Sequence, residues 1–244
     1  MKLSKRMQAV ADLVKKGTIV ADIGTDHGYL PIYLIEEKIS KRALAMDINK
    51  GPLERAKEHI HSHRLQEYIE VRQSDGITNL IPGEATSIII AGMGGKLILK
   101  IIEEGMLHRP WIEEFILQPQ SDVEQVRRYL YANDYEISKE DMVLEDGKYY
   151  HILRAVPGVT GEKEECRDLF FQYGGYLLKN HHPILLDYLK KERGTLTEIL
   201  DCLEKKQPES HIEQRIQELR TKIKQNEDAM NYMDEEEGIY GADV

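Results

Sequence analysis

Cysteine is nearly absent. The 244 residues contain two, Cys166 and Cys202, in no metal-ligand spacing. That excludes a disulfide framework and a thiolate zinc site, and it fits a reducing compartment, read here as the cytoplasm. No apolar run reaches membrane-spanning length, so no membrane partner is expected. The opening "MKLSKRMQAVADLVKK" lacks a small-residue cleavage site and does not read as a secretory signal. Lysine and arginine are missing from Glu227 to Val244, where seven acidic residues stand. The formal net charge is −10, but without that tail 33 basic residues face 36 acidic ones, a balance of −3. Acidity of the whole chain therefore does not exclude a nucleic-acid partner. The first sixteen residues carry Lys2, Lys5, Arg6, Lys15 and Lys16 against Asp12 alone.

What is present is an alternation of apolar runs and amphipathic stretches. Residues 4–16 read as a helix capped by Ser4. "TIVADIG" (18–24), "RALAMDI" (42–48), "IEVRQSD" (69–75), "TSIIIAGM" (86–93) and "EEFILQP" (113–119) read as strands. Helices fall between them: from Leu30 to Glu37, after Pro52, through about Glu104, and over 122–133, the last with Ser121 and Glu124 as a capping box. "YEISKEDMVLEDGKYYHILRAV" reads as two strands about a turn at Asp146-Gly147. This predicts an α/β fold, an open seven-stranded parallel sheet with one antiparallel edge strand.

The strand pattern stops at Pro157-Gly158. Beyond it Leu189, Leu196, Ile199 and Leu203, then Ile212, Ile216, Leu219, Ile223, Met230 and Met233, recur at heptad-like spacing. Between them "KKQPES" carries a helix-breaking proline, and Ser210 with Glu213 forms a second capping box. An antiparallel helical hairpin of coiled-coil character is expected, packed with a helix near 162–180. The domain reading is 1–157 for the sheet domain, 158–233 for the helical domain and 234–244 for an acidic, unstructured tail.

The stretch "VADIGTDHGYLP" (20–31) follows the first strand and has the outline of a nucleotide loop. It refuses the dinucleotide fingerprint, because Asp26 and Tyr29 fall where the second and third glycines belong. No Gly-Lys-Ser/Thr follows, so a P-loop fails too. A carboxylate about 4 Å from a pyrophosphate charge costs roughly 4 kcal/mol at an effective dielectric of 20. The loop therefore suits a cationic ligand without phosphate, and S-adenosyl-L-methionine is one. Asp22, Gly24, Asp26, His27 and Gly28 form the turn. Asp47, followed by Ile48 and Asn49, closes the second strand, where an acid can hold the ribose hydroxyls. Asp75-Gly76 closes the third, where a carboxylate can accept from the adenine amine while Ile77 packs on the ring. "AGMGG" (91–95) ends the fourth strand, with Gly92 and Met93 leaving room for a flat base. No Asn/Asp-Pro-Pro-Tyr/Phe motif stands there, and no nearby cysteine offers a covalent route.

"LSKRMQAVADLV", "VADIGTDHGYLP", "MDIN", "QSDG", "IIAGMGG" and "LQPQSD", in this order, resemble the bacterial TrmK family of tRNA adenine-N1 methyltransferases acting at nucleotide 22. The resemblance runs to about residue 155, and family members also carry a C-terminal coiled-coil domain. It implies a class I fold, dependent on S-adenosyl-L-methionine and releasing S-adenosyl-L-homocysteine, a Rossmann-like sheet domain and a tRNA substrate. It also implies that Gly24, Asp26, His27, Asp47, Asp75, Gly76, Gly92 and Met93 line the pocket. Adenine N1 carries its own lone pair and needs no deprotonation; the product base is cationic. Asp26 could stabilise that charge or hold the N6 amine, and His27 could take a late proton.

Candidate phosphate contacts are Lys2, Lys5, Arg6, Lys96, Arg127, Arg128, Lys190, Lys191 and Arg193. No metal is expected: His59, His61 and His63 read as a solvated helix surface. His181-His182 reads as a helix end. Two other functions fit parts of the sequence. One is a methyltransferase of a small molecule or protein with a helical dimerisation module. The other is a non-catalytic scaffold built on the heptads. The oligomeric state is not set by any of these features.

Overall fold

The computed structural model describes residues 1–158, 168–205 and 210–240. The chain divides into two compact units, Met1–Lys163 and Glu164–Val244.

In the first unit the elements run α1 (Lys5–Asp12), β1 (Ile19–Ile23), α2 (Tyr29–Glu36), β2 (Arg42–Asp47), α3 (Lys50–Ser62), β3 (Ile69–Gln73), β4 (Ser87–Met93), α4 (Gly95–Glu104), a 3-10 helix (Met106–Trp111), β5 (Glu114–Pro119), α5 (Val123–Ala132), β6 (Tyr135–Glu145) and β7 (Lys148–Pro157). The seven strands form one sheet in the order β3-β2-β1-β4-β5-β7-β6. The strands from β3 to β5 are parallel, and the apolar runs of β1, β2, β4 and β5 reflect burial on both faces. Side chains of alternate residues divide between two cores. Ala21, Ile23, Met46, Ile88, Ile90 and Leu117 pack with Ile98, Ile102, Val126 and Leu130 of α4 and α5. Val20, Ala43, Ala45, Ile89 and Ile116 pack with Val10, Leu30, Ile32, Ala56 and Ile60 of α1 to α3. Helices therefore cover both faces, and the chain reverses direction about β1, leaving the carboxyl ends of β1 and β4 side by side.

The sequence expectation differs from the structure in several places. The reversed strand is β7, which is antiparallel to both β5 and β6, and it lies one place inside the edge. The reason is composition. Ile152, Leu153 and Ala155 of β7 are fully buried, whereas β6 carries the charges that suit an edge. The hairpin turn has Asp146 at φ 49° and Gly147 at φ 75°, the left-handed pair that matches strand twist. Ser4 caps α1 through its side chain, accepting from Met7 N at 3.3 Å, but α1 ends at Asp12, four residues early. The chain there turns so that Lys15 N can donate to Glu114 Oε1 at 2.8 Å. The capping box at Ser121 does not form. Asp122 is the N-cap of α5, in the left-handed region, and Ser121 Oγ bonds Asp122 Oδ2 at 2.7 Å. Glu124 instead pairs with Arg128 one turn later.

The first unit also contains buried charge. Glu114, wholly buried at the amino end of β5, accepts from Lys15 N, from Ser87 Oγ at 2.9 Å and from Arg154 Nε at 2.6 Å. Arg127 and Glu140, each 1% exposed, pair at 2.8 Å.

The second unit contains α6 (Asp168–Tyr173), α7 (Gly175–Lys179), α8 (Pro183–Glu204) and α9 (Ser210–Tyr240). The single helix expected near 162–180 is broken at Gly174, whose φ of 96° ends α6; residues 159–167, including Cys166, lie outside the described residues. His182 is the N-cap of α8, with Pro183 in its first turn. Contacts Glu204–Arg220, Arg193–Glu227 and Leu189–Asn226 step in opposite senses along α8 and α9, so the two helices are antiparallel. Leu189, Leu219 and Met233 of the heptad reading are buried, while Ile199 is 40% exposed. Asn226, seven residues from both Leu219 and Met233, is buried in the same row; its Nδ2 donates to Leu189 O at 3.0 Å and Glu192 Oε2 at 2.9 Å. Ser210 is the first helical residue of α9, and the proline of "KKQPES" lies outside the described residues. The segment read as an unstructured tail beyond 233 continues α9 to Tyr240, because extending a formed helix adds one hydrogen bond per residue fixed. Cys202 is exposed.

Candidate active site

β1 ends at Ile23 and the chain turns on Gly24, at φ 75°. Two bonds fix this turn to β2: Gly24 N and Thr25 N donate to Met46 O at 2.8 and 2.9 Å. A Cβ on Gly24 would overlap Met93 Cε, so Met93, from the end of β4, lies over a turn that only glycine can make. Gly28 opens α2, and a Cβ there would meet Ala56 Cβ at 3.3 Å, so it sets how closely α2 and α3 approach.

The three strand-end acids differ in environment. Asp22, in β1, is buried; Asp47 is half-buried and Asp75 exposed. Burial pushes the Asp22 carboxyl up from 3.8 to about 6; Thr25 opposes this and repulsion from Asp47 adds to it. Thr25 Oγ1 is near enough to hold that value down, yet it is buried outside hydrogen-bond geometry with any group among the described residues. Asp47 Oδ1 accepts from Asn49 N at 2.6 Å, a local turn that starts α3, and Asn49 makes no side-chain cap. Ile48 is 53% exposed at this strand end, its carbonyl held by Gln73 Nε2 at 2.8 Å. Ser74 N donates to Asp47 O at 2.9 Å, joining the second and third strand ends. Ile77 was expected to face the ligand, but it is 1% exposed and packs under α4 beside Gly105. The left-handed Gly76 turns the chain inward and takes Ile77 with it. Ile48 is an exposed apolar side chain at this strand end.

The outer wall is aromatic and charged. His27, in the left-handed region at φ 61°, has its Nδ1 buried and without a hydrogen-bond partner among the described residues. Its ring is parallel to those of Tyr29 and His59, with centroids 5.2 and 5.3 Å away, and Tyr29 lies 5.0 Å from His59. His59 Nδ1 donates to His27 O at 2.9 Å, so this histidine supports the loop and is not a solvated surface residue. The third of that histidine row, His63, pairs with Glu36 at 2.6 Å. Asp26 is 68% exposed; Arg55 Nη2 holds its Oδ1 at 3.1 Å, and His27 Nε2 lies at 3.4 Å.

At β4 the register shifts between Ala91 and Met93 where the strand faces Gln118 and Pro119. Gly92, at φ 78°, donates its N–H to Gln118 Oε1 at 3.1 Å, and Arg6 Nη1 donates to the same oxygen at 2.7 Å. Gly95 starts α4, where a Cβ would meet Ser121 O at 2.6 Å.

Of the phosphate candidates, Lys2, Lys5 and Lys96 are exposed and Arg6 is half-buried against Gln118. Arg127 does not serve as a phosphate contact: its guanidinium is buried against Glu140 and cannot reach a phosphate. Arg128 pairs with Glu124. In the helical unit, Lys190 and Lys191 are exposed and Arg193 pairs with Glu227. Sequence reasoning passed over Thr25, Arg55, His59 and Gln118; for Gln118 the available signal was an amide at the end of an otherwise apolar strand. Among the described residues, no cluster of three His, Cys, Asp or Glu could hold a metal ion, and no helix is long and apolar enough to cross a membrane.

A sheet wound about β1, a glycine turn without a phosphate cradle and carboxylates at three successive strand ends define a Rossmann-like methyltransferase domain. The family described as "Methyltransferase domain" matches residues 3–153. The tRNA (adenine(22)-N(1))-methyltransferase of Bacillus subtilis (strain 168) is 34% identical over 225 residues, covering 91% of this chain and 94% of that one. The crystal structure of the B. subtilis m1A22 tRNA methyltransferase TrmK superposes with a TM-score of 0.82 at 33% identity, covering 93% of this chain and 98% of that one. The structure of M. capricolum TrmK in complex with S-adenosyl-homocysteine gives 0.81 at 27% identity, covering 96% and 100%. The chain belongs to the TrmK family of tRNA methyltransferases.

Proposed function

We propose that the chain transfers the methyl group of S-adenosyl-L-methionine to N1 of adenine 22 in tRNA, in the cytoplasm. The observation that carries this reading is Asp22. A buried carboxyl with its pKa raised to about 6, beneath a glycine turn and beside the half-buried Asp47, suits an ammonium and repels a pyrophosphate. The buried hydroxyl of Thr25, beside Asp22 and without a well-formed hydrogen bond among the described residues, fits a polar ligand group at the same floor. Asp22, Gly24, Thr25, Asp47, Ile48, Asn49, Asp75, Gly76 and Met93 would hold the cofactor, which supplies an electrophilic methyl group on a sulfonium.

The protein's own tasks are alignment, exclusion of water and charge compensation. N1 lies on the Watson–Crick edge, so the base must leave its stack to react. The parallel rings of His27, Tyr29 and His59 offer a flat face at the mouth of the site, with Tyr29 42% exposed, and a base can stack there. Asp26, held by Arg55, stands at the same rim and can accept from the adenine amine or offset the positive product. Gly92, between Arg6 and Met93, leaves the opposite wall without a side chain.

The test is incubation with methyl-labelled cofactor and bulk bacterial tRNA. Label recovered as 1-methyladenosine at position 22 supports the reading. Label only in protein or in a small molecule refutes it in favour of the other methyltransferase class, and absence of cofactor binding favours a scaffold.

A further inference from the structure

The reaction loop is braced from a distant part of the chain. Gly92 sits in a bulge, so its N–H leaves the strand ladder. It donates to the side chain of Gln118, which is fully buried. The amide orientation of Gln118 is set by its partners: Oε1 faces two donors, Gly92 N and Arg6 Nη1, and Nε2 faces Pro119 O at 3.2 Å. Arg6 is fixed in turn from two sides. Its backbone N–H donates to Glu145 Oε1 at 3.3 Å, and its guanidinium lies 5.3 Å from the centre of the Tyr150 ring. A Cβ on Gly92 would stand 3.5 Å from Arg6 Nη1 and 3.8 Å from Gln120 Nε2. Gln120 N also donates to Met93 O at 2.8 Å, so both sides of the bulge hang from the end of β5.

We infer that Arg6 and Gln118 are positioning residues for methyl transfer: the guanidinium holds the buried amide, and the amide holds the Gly92 bulge in the shape that receives the target base. This rests on the function proposed above. It gives Arg6 a task other than phosphate contact. The charged donor shortens and strengthens the bond to Oε1, which keeps that oxygen aimed between its two partners. Neither residue touches substrate; both act through the backbone of residues 91–95.

The experiment compares wild type, Arg6→Ala, Arg6→Lys, Gln118→Met and the double variant. The readouts are S-adenosyl-homocysteine affinity by calorimetry, the single-turnover rate of tRNA methylation, KM for tRNA at several salt concentrations, and hydrogen exchange of residues 91–95. Arg6→Ala and Gln118→Met are expected to lower the single-turnover rate by about tenfold or more, since small misplacements at a reacting centre are costly. Cofactor affinity and KM for tRNA should stay within about twofold, the signature of an effect confined to the reacting arrangement. The double variant should be no slower than the worse single variant, Arg6→Lys should recover part of the rate, and exchange at Gly92 should accelerate. The inference is overturned if Arg6→Ala raises KM and flattens the salt dependence at an unchanged rate, because Arg6 then neutralises a phosphate. Unchanged exchange at residues 91–95 overturns it as well. Should Gln118→Met not fold, the two Arg6 variants carry the comparison. The exchange readout needs no tRNA, so it separates failure of this inference from failure of the proposed function.

Discussion

Replacing Asp22 with Asn removes the group on which the cofactor reading depends, and the structure sets the size of the effect. Burial raises the Asp22 carboxyl from 3.8 to about 6. At about 1.4 kcal/mol per pH unit, keeping it ionised in the ligand-free protein costs on the order of 3 kcal/mol. The sign follows from linkage. The folded-state value lies above the unfolded one, so the contribution of this one carboxyl to stability is greatest below pH 3.8, is lost as pH rises toward 6, and is constant beyond. A ligand ammonium reverses the preference by pairing with the ionised form. S-adenosyl-homocysteine should therefore bind wild type most tightly above pH 6 and lose up to about tenfold per pH unit below it. The Asn variant should bind more weakly at neutral pH and lose the part of the pH dependence that Asp22 carries. Free of ligand, it should resist urea better than wild type above pH 6. Calorimetry at four pH values and urea melts with and without ligand test both halves. An Asn variant with wild-type affinity and a wild-type pH profile would refute the argument.

Three further outcomes are expected. Gly24→Ala should abolish measurable cofactor binding, because the new Cβ meets Met93 and the residue is held at φ 75°; titration with S-adenosyl-homocysteine checks it. Tyr29→Ala should weaken productive use of tRNA by about 1–3 kcal/mol in kcat/KM, the usual worth of a base-stacking ring, while Tyr29→Phe retains most of it. Equal loss in both would mean that the hydroxyl, not the ring, matters. Arg127→Met should destabilise the sheet domain by about 3–5 kcal/mol, since it leaves the carboxylate of Glu140 buried without that guanidinium. Its tRNA binding, measured under conditions where it stays folded, should keep the wild-type salt slope.

The strand ends were legible because parallel buried strands write themselves as apolar runs, and an acid after such a run stands out. The glycine turn with Asp22 and Asp26 was read first, from its failure to match a phosphate loop, and Asp47 and Asp75 were added by their places at the ends of the next two strands. What the local pattern could not show was pairing between distant segments. Arg127 looks like any basic residue on a helix until β6 brings Glu140 against it. Ile77 was assigned outward because it follows an acid at a strand end; the left-handed Gly76 between them reverses its direction. Ser121 and Glu124 have the spacing of a capping box, but Asp122 takes the left-handed conformation and starts the helix one residue later. The reversed strand was expected, but its place inside the edge depends on which member of a hairpin is the more apolar. His59 lies on a helix whose histidines repeat every second residue, a pattern that says surface; its contact with His27 O comes from the approach of α3 to the loop.

Glu114 sits at the amino end of the sheet, gathering the segment before β1, β4 and β7 onto one carboxylate. The fastening is thus at the root of the strands, and chemistry is left to their tips. The tips can then take other side chains without loosening the frame, whereas a change at Glu114 would leave the constellation of acids intact on paper and unhinged in practice.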